Sequence, residues 1–433
     1  MGERGREFRV IGYVSSAFGL GIAAANTVGV LLAAGLPVSV VDVDPGGGRQ
    51  GRDTTYADLE RELPARYAVN VFHLNPPQIV EFQEQWVDPV SLRSGINVCV
   101  PFWELPSLPR AWVPVLDGMD VVLAPTHFIA AACRAALSRP VLHYPQAVSL
   151  PDDVLPDRER WGIPPESTVY LVSYDVESDT ARKNPTAALD AFERAFTDAD
   201  DALLLVKVNQ SALSPAQRDE VDALRRRLSP LHNVRLIEGN LPYRDVLSLY
   251  ASCDVLVSLH RAEGLGLHLM EAMALGRAVV ATNWSGNTDF MTAENSFPVP
   301  FELVAVRSDN AAYAPECGRA EQYWAEADAA DAARILRLTY DAPEVRHRVA
   351  EQAARDMAAR TASVALAEPL REVAKWPGSK RATRAERAAL GALLEADRRS
   401  KPGASGPLAY RWARTKRRIV LELRARGLYR AAR

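Results

Sequence analysis

Cysteine is scarce, with four in 433 residues. Cys99, Cys133, Cys253 and Cys317 form no C-x-x-C pair and sit mostly within apolar runs. They read as reduced core residues of a cytosolic protein, not as a disulfide framework or a zinc site. The opening MGERGREFRV lacks an apolar signal region, and Arg6 stands where a myristoylation motif takes Ser or Thr, so neither a leader nor a lipid anchor is expected there. Neither sign of charge dominates, since 51 Lys and Arg meet 54 Asp and Glu. That balance hides a gradient: from Lys375 onward 17 basic residues face 4 acids, leaving 34 against 50 in the body. Long uncharged runs are also few. Residues 17–41 form one, but three glycines, Asn26-Thr27 and the break Gly35-Leu36-Pro37 divide it into helix and strand rather than a membrane span.

What is present is a chain too long for one ordinary core, with 48% apolar and 24% charged residues. Two soluble α/β domains and an appendage are expected. The densest signal is SCDVLVSLHRAEGLGLHLMEAMALGRAVVATNWSGNTDFM, residues 252–291. A short apolar strand (255–259) runs through the charged turn 260–263 into a helix at Gly264, Leu265 and Gly266. Glycines at a helix start let a ligand approach the backbone, and the N–H groups and dipole there favour an anion such as phosphate. Glu263 and Glu271 lie eight positions apart, just over two helical turns, so both acids are expected along one edge of the same site. A bare pair of this kind is usually a solvated helix face; the glycine turn and the apolar strand at 278–281 make it a candidate site.

HRAEGLGLHLMEAMALG followed by SGNTDFM resembles the signature of the fourth family of retaining, nucleotide-sugar-dependent glycosyltransferases, the glycosyl transferases group 1. The resemblance covers roughly residues 8–370 and implies the B-type glycosyltransferase fold, two facing Rossmann-like doubly wound domains. It implies that Glu263 faces the donor sugar and Glu271 hydrogen-bonds the ribose. SYDVESDTARKNPTAALDAFERAF is similar to the group's strand-loop-helix, which makes Lys183 and Arg182 candidates to hold the diphosphate. Many relatives carry an Arg five or six residues ahead of the Lys; Ser178 and Glu177 occupy those places, and Arg182 is expected to substitute. Gly239 and Asn240 correspond to a loop bordering the nucleobase. FWELPSLPRAW, DVVLAPTHF and PVLHYPQAV resemble the group's N-terminal half, where the Trp-Glu segment faces the acceptor, so Glu104 and His127, with His73 at another strand end, are acceptor-side candidates. Each histidine is equally readable as a satisfied core imidazole.

Taken in order, the chain opens β (8–14), small-residue loop (15–21), helix (22–34), β (37–42). Gly19, Gly21 and Ala24 fit G-x-G-x-x-A, and Asp42 or Asp44 falls where a ribose-binding acid would, which leaves an NAD-dependent oxidoreductase as a rival. Four residues separate strand from first glycine, however, where the dinucleotide fingerprint turns almost at once. The family resemblance instead brings Gly19 and Gly21 toward the donor phosphates or the acceptor. Asp42-Val43-Asp44 reads as a strand terminus or acceptor-face polar group rather than a cation site. Further strands are expected at 69–74 and 96–100, a proline-rich linker near 148–165, and a second αβ series over 168–252. Residues 325–365 read as mostly helical.

The domains expected are 1–150 on the acceptor side, 151–345 for the nucleotide sugar, a helix at 346–374 crossing back, and a basic helical extension at 375–433. The extension carries Trp412, Ile419, Val420 and Leu423 on roughly one face, interrupted by Lys416 and Arg426, and is expected to lie on an anionic membrane, with docking on the acidic body or on nucleic acid as the alternative. The activity implied is transfer of a mannose- or glucose-type hexose from a UDP- or GDP-sugar to a glycan or lipid-linked acceptor in cell-surface polysaccharide biosynthesis. No metal, cofactor or nucleic acid is implied. A nucleotide-sugar-binding protein without catalysis is the alternative.

Overall fold

The structure is a computed structural model that describes residues 6–44, 53–61, 68–85, 95–210, 213–361 and 364–376. The basic extension expected beyond Trp376, with its proposed membrane face, lies outside the described residues. The described residues form two compact units, one drawn from 6–44, 53–61, 68–85, 95–147 and 364–376 and the other from 148–210 and 213–361.

The first unit is a six-stranded parallel sheet in the order β2-β1-β3-β4-β5-β6. Its strands are β1 Phe8–Gly12, β2 Val38–Asp42, β3 Val69–His73, β4 Ile96–Cys99, β5 Val121–Ala124 and β6 Val141–His143. They are short apolar runs buried on both faces, as strands sandwiched between helices must be. The chain leaves β1 in one direction to form β2 and in the other to form β3, so the winding reverses between β1 and β3. The helix Glu368–Ala374 returns to this unit, where Arg371 donates 2.8 Å to the carbonyl of Ala34 and Ala367 packs with Val30 and Ala147.

The helix after β1 spans Gly19–Ala33, so Gly19 and Gly21 sit in its first turn rather than in the expected loop. Gly21 has a packing reason: a Cβ there would lie 2.1 Å from the carbonyl oxygen of Ser16 and 2.5 Å from that of Tyr13. The glycine pattern at 19–24 therefore fits the helix against its own entry loop. Asp42 accepts from the backbone N–H of Ser15 at 3.0 Å and from its hydroxyl, which fixes that loop to the end of β2.

The second unit repeats the architecture with a sheet ordered β12-β11-β10-β7-β8-β9, all neighbours parallel. Its strands are β7 Thr168–Asp175, β8 Ala202–Asn209, β9 Val234–Glu238, β10 Val255–Ser258, β11 Ala278–Thr282 and β12 Phe297–Val299. Counted from β7, this is the doubly wound order 3-2-1-4-5-6 of dinucleotide-binding sheets, with its switch point between β7 and β10. Local sequence sets the helix starts. Ser214 and Gln217 form a capping box for Pro215–Leu228, and Pro185 opens Pro185–Ala195.

Two expectations are revised here. The sequence from 325 reads as helix because it is rich in alanine, yet β14 Tyr323–Ala327 pairs antiparallel with β13 Phe301–Ala305 in a separate hairpin. Cross-strand packing and a covering aromatic cluster of Trp284, Phe301 and Tyr323 override alanine's helical preference there. Helix resumes at Ala329–Asp341 and Pro343–Ala358, and the expected single crossing helix is broken between Ala358 and Glu368. No helix among the described residues is long and apolar enough to cross a membrane.

Candidate active site

In sheets of this kind ligands bind outside the carboxyl ends of the strands at the switch point. In the second unit those ends are Asp175 of β7 and Ser258 of β10, and the candidate residues of the sequence follow each of them. After β7 the chain makes the four-residue helix Thr180–Lys183, entered at Asp179 with φ 78° and left at Asn184 with φ 51°. Two left-handed residues bracket the turn, so the backbone is held in a conformation that must be supported from outside. After β10 it passes through His260 to Gly266, where Gly266 at φ 87° caps the helix Leu267–Ala274.

These two loops meet. The Lys183 ammonium is ion-paired with Glu263, and Arg182 lies 3.5 Å from the other carboxylate oxygen. All three side chains are largely shielded from water. Burial alone would push the Glu263 carboxyl up, but the charge of Lys183 and then that of Arg182 outweigh it and hold it well below the usual carboxylate range. Glu263 is therefore a fixed negative charge in a low-dielectric setting. Arg182 also donates to the carbonyls of Ala262 at 2.9 Å and Ser178 at 2.8 Å. It thereby ties the two loops together as well as neutralising Glu263.

Glu263 lies in the charged turn where the sequence places it, and Glu271 lies on the helix. The left-handed turn at Gly266 starts that helix at Leu267, so Glu263 stands on the loop ahead of it. Its backbone is strapped at both ends, the N–H donating 2.7 Å to Ser285 Oγ and the carbonyl accepting 2.8 Å from the N–H of Gly286. Ser285 has φ 75°, and a Cβ on Gly286 would come within 2.0 Å of the Gly264 carbonyl oxygen. Asn287 completes the strap, donating 2.9 Å to the carbonyl of Thr282 while its Oδ1 lies 3.1 Å from His260 Nε2. We expect Gly286→Ala to misplace Glu263 and lower turnover about tenfold, at a stability cost of about 1–3 kcal/mol, read by paired rate and unfolding measurements.

Glu271, on the helix, accepts 2.7 Å from the Tyr243 hydroxyl. Burial pushes its carboxyl up to about 7 against the opposing effect of that hydrogen bond. His268, one turn back, is held down to about 3 by burial and then by the Lys183 charge, so it is neutral beside the ion pair. His260, which the sequence places in a charged turn, is likewise buried and its pKa lowered, chiefly by burial. Gly239, at φ 95°, and Asn240 follow β9, where Asn240 Oδ1 accepts 3.1 Å from the N–H of Gln210. In the first unit His73 ends β3, and Gly19, Glu104 and His127 follow the carboxyl ends of β1, β4 and β5. His73 is wholly buried at the end of β3 and held down to about 3 by burial. The hydroxyl of Thr126 caps the helix that His127 begins, accepting 3.3 Å from the N–H of Ile129.

Sequence reasoning assigned no role to Ser285, Gly286, Tyr243, His268 or Lys207. SGNTDFM stood in the quoted motif, and its glycine was the available signal. Lys207 was hidden inside the strand ALLLVKVN. Its ammonium is buried without a hydrogen-bond partner and held down to about 8 by burial, with Asp175 opposing.

Residues 157–302 match the family model described as glycosyl transferases group 1. This stretch is similar to a group 1 glycosyltransferase domain. It contains Arg182, Lys183, Gly239, Asn240, Glu263, the Gly264 to Gly266 turn and Glu271. No curated protein sequence matches the chain. Among solved structures, the chain is similar to the Anabaena protein HepE in complex with UDP and glucose, at TM-score 0.57 and 13% identity over 86% of this chain and 99% of that one. Sucrose-phosphate synthase from Thermosynechococcus elongatus gives TM-score 0.59 at 14% identity over 86% and 98%. A glycosyltransferase from Rickettsia africae gives 0.58 at 14% over 86% and 98%. At such identities the likeness establishes the B-type glycosyltransferase fold, with two Rossmann-like domains. The matched stretch lies within the second of these, which carries the ion pair at its switch point.

Proposed function

We propose that the protein is a retaining glycosyltransferase that moves a hexose from a UDP- or GDP-sugar to a hydroxyl of a glycan or lipid-linked acceptor, as in cell-surface polysaccharide assembly. The observation that carries this reading is the Lys183–Glu263 pair, formed by residues eighty positions apart and set at the switch point of the second unit. Breaking the bond between the sugar's anomeric carbon and the diphosphate builds negative charge on the leaving oxygen and positive charge on the ring. Lys183, with Arg182 behind it and the N-terminal dipole of the helix Leu267–Ala274 beside it, provides fixed positive potential for the first, and Glu263 a fixed negative charge for the second. The acceptor oxygen forms the new bond on the face the diphosphate leaves, and the departing phosphate oxygen takes the acceptor's proton. A retaining hydrolase would instead need two carboxylates about 5 Å apart across the scissile bond. Glu271, on the helix and bonded to Tyr243, takes the ribose in this reading rather than that pairing. This chemistry invokes no divalent cation.

The HepE complex with UDP and glucose makes UDP-glucose the first donor to try, with GDP-mannose next. Thermal unfolding of the full chain against a panel of nucleotide sugars tests the reading, because a ligand at a hundred times its dissociation constant stabilises by about 2.7 kcal/mol. One or two members of the panel should raise Tm by several degrees; a flat response across all UDP- and GDP-sugars would refute it.

Glu271 gives binding a pH dependence. Ribose hydroxyls donate to the ionised carboxylate, while burial holds the free group at about 7. Nucleotide binding below that pH must therefore release a proton. Affinity should rise about tenfold between pH 6 and pH 8 and level off above, one pKa unit being worth about 1.4 kcal/mol. Glu271→Gln should bind more weakly and with no such slope in the same titration.

A further inference from the structure

The family match ends at residue 302, and the chain that follows reaches back to the loop bearing Lys183. The hairpin β13–β14 and its connecting segment hold both left-handed residues that bracket the helix Thr180–Lys183. At the entry, Ser308 Oγ donates 2.6 Å to Asp179 Oδ2. At the exit, Glu326 Oε1 accepts 3.1 Å from Asn184 Nδ2. The other oxygen of Glu326 accepts 2.6 Å from Arg261 Nε, two residues before Glu263. Arg261 in turn donates its backbone N–H 2.7 Å to the carbonyl of Arg182 and accepts at its own carbonyl from Ala325, 2.8 Å away. One carboxylate thus clamps the residue after Lys183 to the loop that carries Lys183's partner.

We propose that residues 301–327 form a brace that fixes Lys183 against Glu263, and that Glu326 is its positioning residue. The inference rests on the glycosyl-transfer reading and adds to it a residue outside the matched domain. Asp179 and Asn184 are strained positions that relax unless held, and relaxation at either end swings Lys183 by the ångström or so that a charge-stabilising contact does not tolerate. The charge itself survives, so binding of a nucleoside diphosphate is little affected. The rate suffers, because transition-state stabilisation depends on where that charge sits. Glu326 is partly exposed, and its loss leaves the fold intact.

The test compares the full-length wild type with Glu326→Ala, Glu326→Gln and Ser308→Ala. Donor turnover, UDP or GDP affinity by calorimetric titration, and Tm are measured for each. The brace predicts that Glu326→Ala loses about thirtyfold in kcat with affinity within about threefold and Tm nearly unchanged. Glu326→Gln, which keeps one acceptor oxygen, recovers part of the rate, and Ser308→Ala shows a smaller loss of the same kind. Wild-type kcat in Glu326→Ala overturns the inference alone, as does a fall in rate that merely follows a fall in Tm. Failure of the wild type to bind any nucleoside diphosphate or turn over any donor overturns the underlying reading, and the inference with it.

Discussion

Glu263→Gln should slow donor turnover by about 10²–10³-fold while leaving nucleoside diphosphate affinity within about threefold. The amide keeps the shape of the carboxylate and can still accept from Lys183, so the loop is expected to stay in place. What disappears is the negative charge that Lys183 and Arg182 hold ionised against burial. On the proposed mechanism that charge faces the sugar ring, where positive charge appears only as the bond to the diphosphate breaks. Its loss is therefore a loss of transition-state stabilisation, seen in kcat far more than in ground-state binding. Paired measurement of kcat and of UDP or GDP affinity checks this. A variant that bound nucleotide poorly yet turned over bound donor at the wild-type rate would assign Glu263 to the nucleotide instead.

Lys183→Met should produce the complementary result, with both affinity and rate falling. Removing a cation that contacts a diphosphate forfeits a charge-assisted hydrogen bond of about 1.5–3 kcal/mol, or roughly 10–100-fold in affinity. The substitution also strips Glu263 of its nearer partner in a setting where water cannot replace it. Breaking a buried pair from one side costs about 3–5 kcal/mol, and Arg182 at 3.5 Å keeps the expected cost near the lower figure. Tm should drop by several degrees. The double variant Lys183→Met with Glu263→Gln should be no more stable than Lys183→Met alone, because the buried Arg182 then loses its remaining carboxylate partner. Unfolding of the four species closes the thermodynamic cycle and reads the coupling directly.

The outline of the second unit could be read from the sequence because its elements obey simple rules. Strands such as VLVS and AVVAT are buried on both faces, helices start at Pro or at a Ser-x-x-Gln cap, and glycines mark the turns. The meeting of Lys183 with Glu263 was legible only through the family pattern, since nothing local in ARKNP or RAEGLG points at the other. Features that depended on backbone handedness were not legible. A left-handed Gly266 delays the helix start to Leu267, and helix beginning at Gly19 defies glycine's poor propensity. The hairpin of residues 301–327 was missed for a third reason. Its strand FELVA is half exposed, and its partner YWAEA has an alanine content that suggests helix; only their mutual pairing and the aromatic cover make them strands. The neutral state of His260 and His268 and the raised carboxyl of Glu271 are products of burial, which the sequence does not display. Lys207 shows the same limit, since a lysine in the middle of a strand says nothing about whether water reaches it.

The central claim is that this ion pair presides over departure of a nucleoside diphosphate from a sugar. It is tested most directly by following nucleoside diphosphate release from UDP- and GDP-hexoses with the full-length protein while proton NMR records the anomeric configuration of the sugar first formed. The account predicts release from at least one α-linked donor and an α-configured product. No release from any of these donors, or a β-configured product, would contradict it.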